Sequence, residues 1–60
     1  MTQHEKIIEY LQKHDTISPM EAFSELHITK LSTRIGELKR GGWDIGQKMD
    51  GDYMRYWLNG

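Results

Sequence analysis

From Thr2 to His14 the apolar residues Ile7, Ile8 and Leu11 fall on one stripe, with His4 and His14 on its flanks. That is the 3.6-residue spacing of an amphipathic helix. Tyr10 stands at the stripe's edge, where a ring can pack while its hydroxyl stays wet. Thr2 supplies an N-cap, and Glu5, three residues on, completes a capping box. After a break at Asp15-Thr16-Ile17, the run Ser18-Pro19-Met20-Glu21 reads as a second helix start. Serine caps, proline suits the first helical position, and glutamate reaches back to the cap's amide. This helix runs through Leu26, with Ala22, Phe23 and Leu26 expected on one face. It is only about two turns long, so packing rather than propensity must hold it.

A third helix follows almost at once, because only His27 and Ile28 separate Leu26 from Thr29, the expected N-cap. Leu31, Ile35 and Leu38 recur at i, i+4 and i+7, and Gly41-Gly42 ends the helix behind Lys39 and Arg40. Beyond Trp43 the period changes from 3.6 to 2. Asp50-Gly51 is a strong hairpin signal. A two-residue loop there pairs Met49 with Asp52 and sets Gln47 against Met54, Ile45 against Tyr56 and Trp43 against Leu58. A three-residue loop would set Ile45 against Trp57 and scramble the apolar and polar faces. In the favoured register Trp57 faces away from the core, beside Asp44.

Sixty residues with no cysteine form a single expected domain, 1–60, without disulfides or thiolate metal sites. At 37% hydrophobic and 28% charged, the chain has a globular composition. It contains no apolar run of membrane-spanning length, and Glu5 and Glu9 interrupt what would be a secretory leader. A cytoplasmic location is the expectation. A chain this short offers little wall for a substrate pocket, and it shows no nucleophile–base pair. His4, His14 and His27 lack the Cys or carboxylate spacing of a metal site. No enzyme activity, cofactor or metal is expected. The net charge of −1 hides an asymmetry: residues 1–26 set two lysines against five acidic groups, while residues 30–40 set four cations against Glu37 alone. A basic face of that kind is what phosphate contacts use, whatever the total charge.

Two short helices joined by so tight a turn, the second one basic, fit a helix-turn-helix. Adding the first helix and the hairpin, the chain resembles a winged helix-turn-helix domain, mainly α with a two-stranded wing. Thr16-Ile17 is then a short third strand at the wing's edge. More closely, Ile17-Ser18-Pro19-Met20-Glu21-Ala22, then Leu26-His27-Ile28-Thr29-Lys30-Leu31-Ser32-Thr33-Arg34-Ile35, then Leu38, Gly42, Trp43 and Ile45 resemble small DNA-binding proteins of bacteriophages and bacterial mobile elements. Tyr53, Arg55, Tyr56 and Leu58 match that pattern's second wing strand. The pattern usually carries glycine where this chain has His27, a residue type that tolerates positive φ better than most.

The resemblance implies sequence-specific binding of double-stranded DNA, with helix 29–41 in the major groove. It implies a small transcriptional regulator or recombination accessory factor in a bacterial host. Burial of Leu31, Ile35 and Leu38 is expected to turn Lys30, Thr33, Arg34 and Glu37 outward, with Glu37 placed to accept from cytosine or, the favoured reading, to balance Arg34 or Arg40 as a helix pair. Arg34 and Lys30 suit guanine, and Thr29, Ser32 and Thr33 suit base or phosphate contacts. Lys39 and Arg40 are candidates for the flanking backbone, Lys48 and Arg55 for the wing, and Ser18 for phosphate at the second helix's start. Asp50 and Asp52 oppose deep insertion of the wing tip. The competing expectation is a protein-interaction module, which binds a partner or a second copy through Trp57 and the acidic first two helices.

Overall fold

Thr2 caps the first helix, α1 (Gln3–His14), with the full reciprocal box. Its Oγ1 accepts from the Glu5 amide at 3.2 Å, and its own amide donates to Glu5 Oε1 at 3.0 Å. Ser18 and Glu21 repeat the device at α2 (Pro19–Leu26), with the two bonds at 2.9 and 3.3 Å. The computed structural model describes residues 2–59. It continues with β1 (Thr16–Ile17) between those helices, then α3 (Leu31–Arg40), β2 (Ile45–Asp50) and β3 (Tyr53–Leu58). The strands form one antiparallel sheet in the order β1-β3-β2, so the last strand is the middle one.

His27 ends α2 in the left-handed conformation, φ 58° and ψ 36°. Its amide donates to Phe23 O at 3.0 Å, and the next amide, of Ile28, donates to Ala22 O at 3.0 Å. This left-handed cap turns Ile28 straight down into the core, where it is 1% exposed. Diverting Ile28 inward delays the next helix. α3 therefore starts one residue later than a Thr29 cap suggested: Lys30 is its N-cap, and no side chain bonds the first-turn amides. At the far end Gly42, at φ 107°, closes a Schellman motif, with its amide on Lys39 O and that of Trp43 on Leu38 O.

The core joins every element: Ile7 and Leu11 of α1, Ile17 of β1, Ala22 of α2, Ile28, then Leu31, Ile35 and Leu38 of α3, with Ile45 and Tyr56 of the sheet. Phe23 is not part of it; at 60% exposed it points to solvent. Ala22, fully buried, brings α2 close to its neighbours, and Phe23 lies a third of a turn away from that contact.

The hairpin turns one residue later than the Asp50-Gly51 signal implies. Asp50 pairs with Tyr53 across a Gly51-Asp52 loop, which sets Met49 against Met54, Gln47 against Tyr56, Gly46 against Trp57 and Ile45 against Leu58. Gly51 alone in the loop has positive φ, at 69°, as the first position of a type II′ turn requires. The pairing differs from the expected one by two residues, which leaves every side chain on its expected face. Trp57 therefore covers Gly46 rather than lying beside Asp44: a Cβ added to Gly46 would sit 2.5 Å from its indole. Trp57 is half-buried, and its Nε1 donates to Asn59 Oδ1 at 2.9 Å. Trp43 precedes β2, unpaired with Leu58 and 44% exposed. Burial fades along β2 and β3 toward the turn, so the wing projects beyond the core.

Ile35 is 2% exposed at the centre of the α3 stripe. Ile35→Ala should cost about 2–5 kcal/mol, a large share of the stability of a domain this small. A circular-dichroism melt will check it, with the midpoint falling sharply or the folded signal disappearing.

Candidate nucleic-acid interface

Burying Leu31, Ile35 and Leu38 fixes the rotation of α3 and so decides what it presents. Lys30, Ser32, Thr33, Lys39 and Arg40 are exposed on it, and Thr29 is exposed just before it. Lys39, on the flank nearest the sheet, donates from Nζ to Gln47 Oε1 of β2 at 2.7 Å. Lys30 and Arg40 make no ion pair among the described residues.

Arg34 and Glu37 are not turned outward as expected. They lie on the flank of α3 that meets α1, both half-buried. Arg34 Nη1 donates to Glu37 Oε1 at 2.7 Å, and His4 Nε2 of α1 meets the same oxygen at 2.7 Å. One carboxylate oxygen thus joins the two helices. Arg34 Nε is enclosed with no partner among the described residues. The hydrogen bonds from His4 and then Arg34 hold the Glu37 carboxyl below its ordinary range, against a smaller opposing effect of burial.

Arg55 is committed in the same way. From the outer face of β3 its Nε donates to Asp50 Oδ2 at 3.0 Å, while Nη1 reaches Thr16 Oγ1 at 3.1 Å and Glu21 Oε1 at 3.3 Å. The bond to Asp50, and after it the nearby Glu21 charge, push its already high pKa higher, against partial desolvation. The guanidinium ties the wing to β1 and to the start of α2. Ser18 is 2% exposed, and its hydroxyl is spent on the cap. Lys48 is exposed opposite Arg55 in the strand pairing, on the sheet face that turns away from Ile45 and Tyr56.

Of the ten candidate residues, Thr29, Lys30, Ser32, Thr33, Lys39 and Arg40 are thus gathered along α3, and Lys48 stands apart on the wing. Ser18, Arg34 and Arg55 are engaged in internal bonds. The bridging position of His4 and the hold of Glu21 on Arg55 were missed, because both partnerships span more than 30 residues. Only the side on which His4 flanks its helix pointed to the first. Among the described residues no group of three His, Cys, Asp or Glu gathers to hold a metal, and no helix is long and apolar enough to cross a membrane.

The sequence profile described as a winged helix-turn-helix domain matches residues 2–59, nearly the whole chain. No curated protein and no solved structure matches it.

The Glu37 bridge carries a pH signature. A carboxyl whose folded pKa lies below its ordinary 4.5 adds stability above that pH and loses it as pH falls through the folded value. Glu37→Gln should therefore lower stability modestly above about pH 4.5, since the group is partly exposed, and flatten the acid limb below it by the same amount. Urea midpoints of parent and variant at a series of pH values will check this. Glu5, lowered mainly by its hydrogen bond from Thr2, adds a slope of the same sign that remains in both proteins.

Proposed function

The chain belongs to the winged helix-turn-helix family, and from that premise we propose that it binds double-stranded DNA by seating α3 in the major groove. One observation carries the reading. The outward side of α3 offers Lys30 and Arg40 free of ion pairs among the described residues, together with the hydroxyls of Ser32 and Thr33. Glu37, the helix's one acidic residue, is turned to the α1 flank and neutralised there. A polyanion approaching that side meets positive charge and short hydrogen-bonding groups, which suits backbone positioning and base-edge contact together.

In this reading Lys30, Ser32 and Thr33, with Thr29 before the helix, face base edges or the nearest phosphates. Lys39 and Arg40 meet the backbone at the other end, and Lys48 meets flanking phosphate from the wing. Arg34, Arg55 and Ser18 act indirectly, by holding α3, the wing and α2 in place. The biological role would be that of a small transcriptional regulator or recombination accessory factor, of the bacteriophage or mobile-element type, without catalysis of its own, working in the host cytoplasm. A partner-binding role centred on Trp57 is not favoured, because the indole is already spent on Gly46 and Asn59.

Selection from a random duplex library, followed by titration across salt concentrations, tests the proposal. Lys30→Ala should weaken the selected site by roughly 1–3 kcal/mol. Arg40→Ala should weaken all duplexes alike and reduce the salt slope by about one. If no sequence is enriched and neither substitution alters binding, the DNA reading is wrong.

A further inference from the structure

Gly36 stands in the interior of α3, where glycine is the poorest helix former after proline. Three of the chain's other glycines answer to the fold. Gly42 and Gly51 hold positive φ, and Gly46 lies under the Trp57 indole. Gly36 has neither reason: its φ is outside the positive range, and a Cβ added there would meet nothing within 4 Å. Alanine at this position would strengthen the helix and disturb no neighbour. Something outside the chain explains the glycine better than anything within it.

Its surroundings indicate what that is. Gly36 falls one turn after Ser32 and Thr33 and one turn before Arg40, away from the Leu31–Ile35–Leu38 stripe. Serine and threonine carry their oxygen one bond beyond Cβ, so they reach a base edge only when the helix backbone is close to it. Lys30 and Arg40, ten positions apart, stand about 15 Å apart along the axis. A cation at each end and a bare backbone between them describe a helix that sits low.

We infer that Gly36 is the point of closest approach between α3 and the DNA. Its missing side chain sets the depth at which the helix seats, and thereby which base edges Ser32 and Thr33 reach. The inference rests on the DNA reading given above and assigns a specificity-determining position within it.

The test uses the full chain, a duplex enriched from a random library, and two variants, Gly36→Ala and Gly36→Gln. Gly36→Ala should melt a few degrees higher by circular dichroism. It should also bind the enriched duplex about tenfold more weakly by fluorescence anisotropy, roughly the loss of one base contact. Gly36→Gln should stay folded and bind more weakly still. Gly36→Ala binding as tightly as the parent, while Lys30→Ala loses affinity, overturns the inference and leaves the DNA reading standing. A lower melting temperature for Gly36→Ala also overturns it, because the fold would then need the glycine. If the parent enriches no duplex and Lys30→Ala changes nothing, both fall together.

Discussion

Thr16 and Ile17 hydrogen-bond to the final strand, and the relation of wing to helices depends on that two-residue contact. Ile17 pairs with Tyr56 and is fully buried, so one short ladder fixes a core residue of the N-terminal half against one of the C-terminal half. Ser18 follows directly and starts α2 with its cap. The direction of α2 is therefore set by the sheet. His27 and Ile28 then carry that constraint into α3, because the left-handed turn and the buried isoleucine leave little freedom in how the third helix departs. The outward side of α3 is a remote consequence of the strand pairing, passed along through two rigid turns.

Electrostatics sorts the basic residues into two groups. Arg34 and Arg55, on flanks where elements meet, are neutralised by carboxylates: Arg34 by Glu37 one turn along the same helix, and Arg55 by Asp50 within the hairpin and Glu21 of α2. Their side chains are about a third exposed, so each pair adds only modestly to stability. Their greater effect is geometric: Glu37, held by Arg34, ties α1 to α3 through His4, and the planar Arg55 guanidinium, with three partners, ties the wing to β1 and α2. Lys30, Arg40 and Lys48 have no such partners among the described residues and keep their charge available. The overall charge of −1 conceals this division, in which four of the nine acidic groups, Glu5, Glu21, Glu37 and Asp50, are engaged with the arginines and the caps.

Much of the architecture was legible because its causes are local. Thr2 with Glu5, and Ser18 with Glu21, announce helix starts through bonds three residues long. The Leu31–Ile35–Leu38 stripe gives the buried side of α3 correctly. The hairpin shows where local reasoning stops. Alternation fixes the face of each residue but is blind to a shift of two, so Ile45 opposite Tyr56 and Ile45 opposite Leu58 read alike. What separates them is the Trp57 indole over Gly46 and the bonds between Asn59 and Asp44, neither visible in a pattern of apolar positions. Phe23 and Thr29 were misplaced because Ala22 and Ile28 claim the buried space. The His4–Glu37 bridge and the bonds of Arg55 to Thr16 and Glu21 were out of reach because those partners become neighbours only in the folded chain.

The sheet is closed at two very different costs. β2 meets β3 across a two-residue turn, a local contact that needs little chain to be ordered beforehand. β1 meets β3 only after α2, α3 and the wing have been folded back, as in the Thr16–Arg55 contact, whose members are 39 residues apart. The middle strand therefore belongs to both halves of the chain. Cutting between α3 and the wing would leave Ile17 without its partner and Tyr56 without half of its cover. The domain has no smaller unit that keeps a complete core, and it is built to fold and unfold as one cooperative piece.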